Sequence, residues 1–371
     1  MKILTVFGTR PEAIKLAPVI HQLQATPGIQ NVTCNTGQHT TMVDQVIQIF
    51  GLRLDYDLQL MQPNQTLPQL SQRVLEKFTP ILKKEKPDYI LVQGDTTTVF
   101  ITSLAAFYEQ IPVAHLEAGL RSGDLYSPWP EEANRALTSV LAKVHFAPTE
   151  PARENLLKEN VPADTVLVTG NTVVDALLFT SKKIDMDSVL RQKLEQMLPP
   201  INPKKRTILV TLHRRESHSG GIENVCNALK ELCRRPDVEI IFSVHPNPNV
   251  QKTVEETLGG LSAVKLIQPP HYEAFVYLMK HAYLILTDSG GIQEEAPSLE
   301  KPVLVAREKT ERPEGIKAGC SILVGTETQN VLEMIQRFLD DKEYYTQFAK
   351  SKNPYGDGNA SSRIAKFFAQ S

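Results

Sequence analysis

ILTVFGTRPEAIK, residues 3–15, carries a strand, a turn and a helix start in immediate succession. ILTVF is apolar and rich in strand-forming residues, Gly8 permits a tight turn after it, and Pro11 suits a first helical turn, where its missing N–H costs no bond. The same unit recurs outward along the chain. VTCN (32–35), YILVQ (89–93), PVAHLE (112–117), VHFAP (144–148) and VLVTG (166–170) alternate with helical segments. Such alternation predicts a parallel sheet covered by helices on both faces. The pattern restarts with TILVTLH (207–213), EIIFSVH (239–245), VKLIQ (264–268), YLILTDSG (283–290), PVLVA (302–306) and SILVG (321–325). The fold class expected is therefore α/β, with two Rossmann-like, doubly wound parallel-sheet domains.

A chain of 371 residues also exceeds what one hydrophobic core usually organises. Between the two series a helical stretch leads into LPPINPKK (198–205), whose three prolines and two lysines suggest exposed connection. The border is expected between residues 170 and 205, giving domains 1–170 and 171–357. SSRIAKFFAQ (361–370) follows the glycine-rich NPYGDGNA with apolar residues at helical spacing. The segment 358–371 is accordingly expected to pack back on the first domain.

Forty basic and 42 acidic residues leave a net charge of −2, so no overall field draws the protein to nucleic acid or an anionic membrane. An anionic ligand needs a local site. Cys34, Cys226, Cys233 and Cys320 form no CxxC pair or metal-finger pattern and are read as reduced packing residues. The N-terminus lacks a signal-peptide pattern and no apolar run reaches membrane-spanning length. A cytoplasmic, soluble protein is the expectation.

Ligands of open parallel sheets bind beyond the carboxyl ends of the strands, and several strands here run into polar clusters at that end. In FGTRPEAIK, Arg10 and Lys15 bring positive charge to the turn after the first strand, fit for a phosphate or a leaving group. A plain turn with a solvated lysine is the alternative, and neither GxGxxG nor a P-loop is present. Asp95 ends a strand in QGDTTT (93–98), where an ordinary N-cap carboxylate is the alternative. Glu117 ends another in HLEAGLRSGD (115–124), followed by Glu131 and Glu132 in SPWPEEANR (127–135) beside the only Trp. Carboxylates gathered at neighbouring strand ends repel one another and lose water, which raises a pKa toward the working range. His213 follows a strand in TLHRRES (211–217) and suits proton transfer or phosphate binding, with a structural hydrogen bond as the alternative. In LTDSGGIQEEAP (286–297), Ser289, Gly290 and Gly291 present backbone N–H groups at a helix start, ready for a diphosphate, and Glu295 stands a turn farther on for ribose hydroxyls. ERPEGI (311–316) adds Arg312 near the same sheet edge, or is simply a charged loop.

Together FGTRPEAIK, GDTTT, EAGLR, SPWPEE, GNTVVDAL, HRRES, TDSGGIQEE and NPYGDG resemble the non-hydrolysing UDP-N-acetylglucosamine 2-epimerases, in that family's order and spacing, from residue 1 to about residue 368. The resemblance implies a glycosyltransferase-B-like pair of domains with the active site in the cleft between them. It puts the uridine nucleotide on the second domain, with Ser289, Gly290 and Gly291 at the phosphates, Glu295 at the ribose, and His271, Phe275 and Arg312 nearby. Arg10, Lys15 and His213 would face it. The implied reaction inverts carbon 2 of UDP-N-acetylglucosamine, giving UDP-N-acetylmannosamine for bacterial surface polysaccharide. UDP leaves carbon 1 as a base takes the carbon 2 proton, 2-acetamidoglucal forms, and UDP adds back with a proton on the other face. Asp95, Glu117 and Glu131 are assigned to proton transfer and His213 with Arg10 to the departing diphosphate. The resemblance also implies a homodimer, closure on substrate, and activation by substrate at a second pocket with Gln38, His39, Arg73 and His245. Thr41 stands where a longer Gln or Glu is the family's pattern, which weakens that last implication, and His271 where some members carry Gln. No cofactor and no metal are expected, so activity should survive a chelator. A glycosyltransferase, a hydrolysing epimerase and a nucleotide-sugar sensor are the competing readings; the three acidic residues favour epimerisation.

Overall fold

Strands made of uninterrupted apolar residues belong inside a parallel sheet, because helices cover both faces. The computed structural model, which describes residues 1–37, 41–212 and 220–371, has two such sheets, one in each of two units. Met1–Ala176 with Tyr355–Ser371 make the first unit and Leu177–Pro354 the second.

The first sheet contains β1 (Lys2–Phe7), β2 (Gln30–Asn35), β3 (Tyr56–Asp57), β4 (Tyr89–Gln93), β5 (Val113–Leu116), β6 (Val144–Ala147) and β7 (Val166–Val168). All are parallel, in the order β3-β2-β1-β4-β5-β6-β7. Winding reverses between β1 and β4, whose register pairs Ile3 with Tyr89 and Thr5 with Leu91. The turns after these two strands, at Gly8 and Gly94, therefore open side by side at a topological switch point. β3 has no apolar run to announce it. Polar contacts hold it at the edge: Asn35 Nδ2 donates to Asp57 Oδ1 at 3.0 Å and Thr33 N to Asp55 Oδ2 at 2.9 Å.

The second sheet contains β8 (Arg206–Leu212), β9 (Val238–Val244), β10 (Val264–Ile267), β11 (Leu284–Thr287), β12 (Val303–Val305) and β13 (Ser321–Leu323). Its order is β10-β9-β8-β11-β12-β13, again parallel, with the switch between β8 and β11. Phe242, Phe338, Leu229, Ile240 and Ile335 are among the side chains of its continuous core.

The chain passes between units inside the helix Thr172–Met186 and again between Pro354 and Tyr355. The proline-rich run is not that passage; it is fastened to the second sheet. Asn202 N donates to Glu239 Oε1 at 2.9 Å, and Lys265 Nζ reaches Pro200 O and Glu239 Oε2. The C-terminal helix Ala360–Gln370 lies on the first unit, where Phe367 and Phe368 stack edgewise on Phe146 at 5.5 and 5.8 Å. Its first N–H groups are capped from outside the helix, with Asp175 Oδ1 accepting from Ser361 N at 2.8 Å. All four cysteines are free. Among the described residues no helix is long and apolar enough to cross a membrane.

Candidate active site

In the first unit the polar residues at the strand ends converge. Glu117 directly follows β5, and its backbone lies in the left-handed region at φ 62°. That conformation costs a residue with a side chain about 1–3 kcal/mol and persists where surrounding contacts over-determine it. Here the contacts are on the carboxylate. Lys15, from the helix Arg10–Ala25, donates to Oε1 at 2.6 Å and Oε2 at 2.8 Å. Gln93, the last residue of β4, donates to Oε2, and Asn171 Nδ2 donates to Oε1 at 3.3 Å. Four donor contacts hold the carboxylate in one orientation.

Asp95 sits one residue beyond Gly94 and makes its own ion pair, 2.6 Å from Arg135 on the helix Glu131–Leu141. It does not cap the helix that follows; Thr96 does, accepting from Val99 N. Burial raises the Asp95 pKa above the ordinary carboxylate value; the charge of Glu117 adds to the rise, and Arg135 and Lys15 oppose it. Arg135 also holds Glu132 at 2.9 Å, and Glu132 accepts from Ser122 N and Gly123 N, pinning the loop after Glu117. His115 on β5 hydrogen-bonds Gly94 O at 2.7 Å and is pushed down to about 4, chiefly by burial, so it is a neutral support for the Asp95 turn.

Arg10 opens its helix half-buried, directly beyond the Thr9 cap. Glu131 is the first residue of its helix; its carboxylate makes no hydrogen bond or ion pair among the described residues. Arg73 is engaged by Gln62 and Gln65. Gln38, His39 and His213 lie outside the described residues.

In the second unit the glycine segment is braced from three sides. Thr211 and Thr287 hydroxyls meet at 2.9 Å, and Thr287 Oγ1 accepts from Ser289 N at 3.0 Å. The helix Gly290–Glu295 then begins with no side-chain cap bond from Ser289. Thr310 donates to Gln293 at 2.7 Å, and Asn353 donates to Glu294 O at 2.8 Å and to Ser298 Oγ at 2.6 Å. Glu295 is buried and accepts from Tyr272 OH at 2.9 Å. Arg312 is paired with the buried Glu294. His271 caps the helix Tyr272–His281, with Phe275 half-buried one turn on. His245, just past β9, accepts from Asn247 N at 3.2 Å.

Arg135, Gln93, Asn171 and Glu12 were not singled out from the sequence, yet they bond to the two carboxylates or to their turns. The first had a visible signal, since EEANR places Glu132 and Arg135 three residues apart on one helix face. The other three act across long sequence separations that periodicity does not report. Among the described residues, no group of three His, Cys, Asp or Glu side chains is placed to hold a metal.

Known proteins share this whole architecture. The profile of the UDP-N-acetylglucosamine 2-epimerase family matches residues 21–369. The UDP-N-acetylglucosamine 2-epimerase of Escherichia coli O157:H7 is 54% identical over 365 residues, covering 98% of this chain and 97% of that protein. The crystal structure of the Neisseria meningitidis UDP-GlcNAc 2-epimerase bound to UDP-GlcNAc superposes with a TM-score of 0.91 at 51% identity, covering both chains fully. The Methanocaldococcus jannaschii enzyme in complex with UDP-GlcNAc and UDP gives 0.81 at 35% identity, again over both full chains. On the family profile and on identity sustained from end to end, this chain belongs to the UDP-N-acetylglucosamine 2-epimerase family.

Proposed function

We propose that the protein interconverts UDP-N-acetylglucosamine and UDP-N-acetylmannosamine by eliminating UDP and adding it back. The hydrogen on carbon 2 is not next to a carbonyl, so its removal alone leaves an unstabilised carbanion. Loss of UDP from carbon 1 in the same event avoids that species and gives 2-acetamidoglucal. The observation that carries this reading is the pair of carboxylates at neighbouring strand ends, each with its own cation: Glu117 with Lys15 and Asp95 with Arg135.

Two carboxylates in unequal surroundings divide acid and base work. Glu117 is held by donors on both oxygens, whereas burial raises the pKa of Asp95 above the ordinary carboxylate value. Both, with Glu131 and His213, are assigned to proton transfer and to the positive charge that develops at the sugar ring. Arg10, Ser289, Gly290 and Gly291 are assigned to the diphosphate, Glu295 to the ribose, and His271, Phe275 and Arg312 to the nucleotide's surroundings. Support for this nucleotide assignment comes from the two relatives solved with UDP-GlcNAc. A symmetric homodimer is the proposed assembly, to be checked by light scattering.

Anion-exchange separation of the products formed from UDP-N-acetylglucosamine tests the reading. UDP-N-acetylmannosamine at a stable ratio to substrate, unchanged by EDTA, is expected. Free N-acetylmannosamine with stoichiometric UDP points instead to hydrolysis. Untouched substrate points to a transferase or a sensor.

A further inference from the structure

Two motifs, GNTVVDAL and NPYGDG, are assigned no role in the proposed reaction, and they meet at Asn171. Asn171 lies between β7 and the helix Thr172–Met186 and is buried. Its backbone N–H donates to Tyr355 O at 2.7 Å, and its side-chain Oδ1 accepts from Val173 N at 3.1 Å, the work of an N-cap. Its Nδ2 remains, and that group donates to Glu117 Oε1 at 3.3 Å.

The NPYGDG return lies against this turn: Gly170 holds φ 90°, a Cβ there would stand 3.4 Å from the Gly356 Cα, in van der Waals contact, and Tyr355 O ties the Asn171 backbone N–H. Capping alone does not require asparagine, because Asp and Ser cap about as well. Only asparagine caps through its oxygen while offering a neighbouring carboxylate an N–H; aspartate there would face Glu117 with a like charge.

We propose that Asn171 is a positioning residue for Glu117, fixing that carboxylate's orientation from the β7 side while Lys15 and Gln93 hold it from the others. The proposal rests on the reading of Glu117 as a group acting on the sugar. Among the described residues, Lys15, Arg135 and Asp95 are charged groups whose fields act with or against Glu117, and His115 lies near it neutral. The contact is with a carboxylate assigned to proton transfer, so its loss is expected to fall on kcat more than on KM.

Thermal melts and kcat and KM from pH 5 to 9 for Asn171→Ser and Asn171→Asp test this. Both substitutions keep a cap; Asn171→Ser is expected to melt near the wild type and Asn171→Asp lower, because of the like charge beside Glu117. Asn171→Ser loses about tenfold in kcat, the usual cost of one hydrogen bond to a charged group, with KM little changed. Asn171→Asp loses more, and the acid limb of its pH profile moves up, because an added negative charge favours the proton on Glu117. Wild-type kcat and an unshifted limb in both variants mean that Asn171 merely caps a helix, and overturn the proposal. Should the aspartate variant fail to fold, the serine variant decides. A wild type inactive on the nucleotide sugar overturns the catalytic reading instead. The carbon-13 titration of the Glu117 carboxyl, assigned with Glu117→Gln, then decides for Asn171: an identical titration in Asn171→Asp overturns it, and an upward displacement supports it.

Discussion

Glu12 shows how much work the first turn does besides binding. Its Oε2 accepts from Gly8 N at 2.6 Å and Thr9 N at 3.1 Å, and its Oε1 from Thr96 Oγ1 at 2.6 Å, so one buried carboxylate joins the turn carrying Arg10 to the turn carrying Asp95. Burial pushes it up to about 7, the charge of Asp95 adds to the rise, and the three hydrogen bonds restrain it. A carboxyl raised in the folded state stabilises fully below its ordinary value of 4.5, and that contribution is lost as pH rises through about 7. Glu12→Gln keeps the shape and has no proton to lose. Its stability relative to wild type is therefore expected to improve by about 3 kcal/mol between pH 4.5 and pH 8, as measured by urea denaturation; parallel curves for the two proteins contradict this. Asp95 and Glu117 stood out in the sequence because each is a charged residue ending an apolar strand. Glu12 did not, since a glutamate three residues after a threonine reads only as a capping box, a role it also fills. His271 and Arg312, which the resemblance places near the nucleotide, also cap a helix and pair with Glu294, contacts that no local sequence pattern announced.

At the scale of elements, the strands were legible and their edges less so. Apolar runs bounded by turn residues mark strands, and every run quoted for its strand pattern is a strand of one sheet or the other. β3 escaped because its pairing rests on side-chain hydrogen bonds around Asn35 and Thr33 rather than on a pattern. LPPINPKK was legible as a break in regular structure but not as a strap on Glu239 and Lys265, for proline content reports local stiffness and nothing about what the segment lies on. The loop after Glu117 illustrates close approach between elements. Gly119 holds φ 89°, and a Cβ there would stand 2.1 Å from Ala152 O, on the helix Glu150–Lys158. Backbone against backbone cannot yield as a flexible side chain does. Gly119→Ala is expected to cost more than about 2 kcal/mol and to lower kcat by displacing Glu117; an unchanged melting temperature contradicts the packing account.

For the whole molecule, a net charge of −2 means that attraction to a diphosphate comes from placed groups rather than from a general field. Each unit has a topological switch point where such groups gather. In the first, two carboxylates are each paired with a cation; in the second, a braced glycine segment leads into a short helix. Repetition of the βα pattern made two sheets predictable, whereas the return of Tyr355–Ser371 to the first unit depends on Phe367, Phe368 and the Asp175 cap, contacts that span most of the chain. The central claim is that the carbon 2 hydrogen leaves as a proton while UDP departs from carbon 1. Proton NMR of UDP-N-acetylglucosamine incubated with the protein in D₂O tests it most directly. Deuterium at carbon 2 of the UDP-N-acetylmannosamine formed, and in time of the remaining substrate, is the predicted result; product that keeps its original hydrogen at carbon 2 contradicts elimination and the roles given to Asp95 and Glu117.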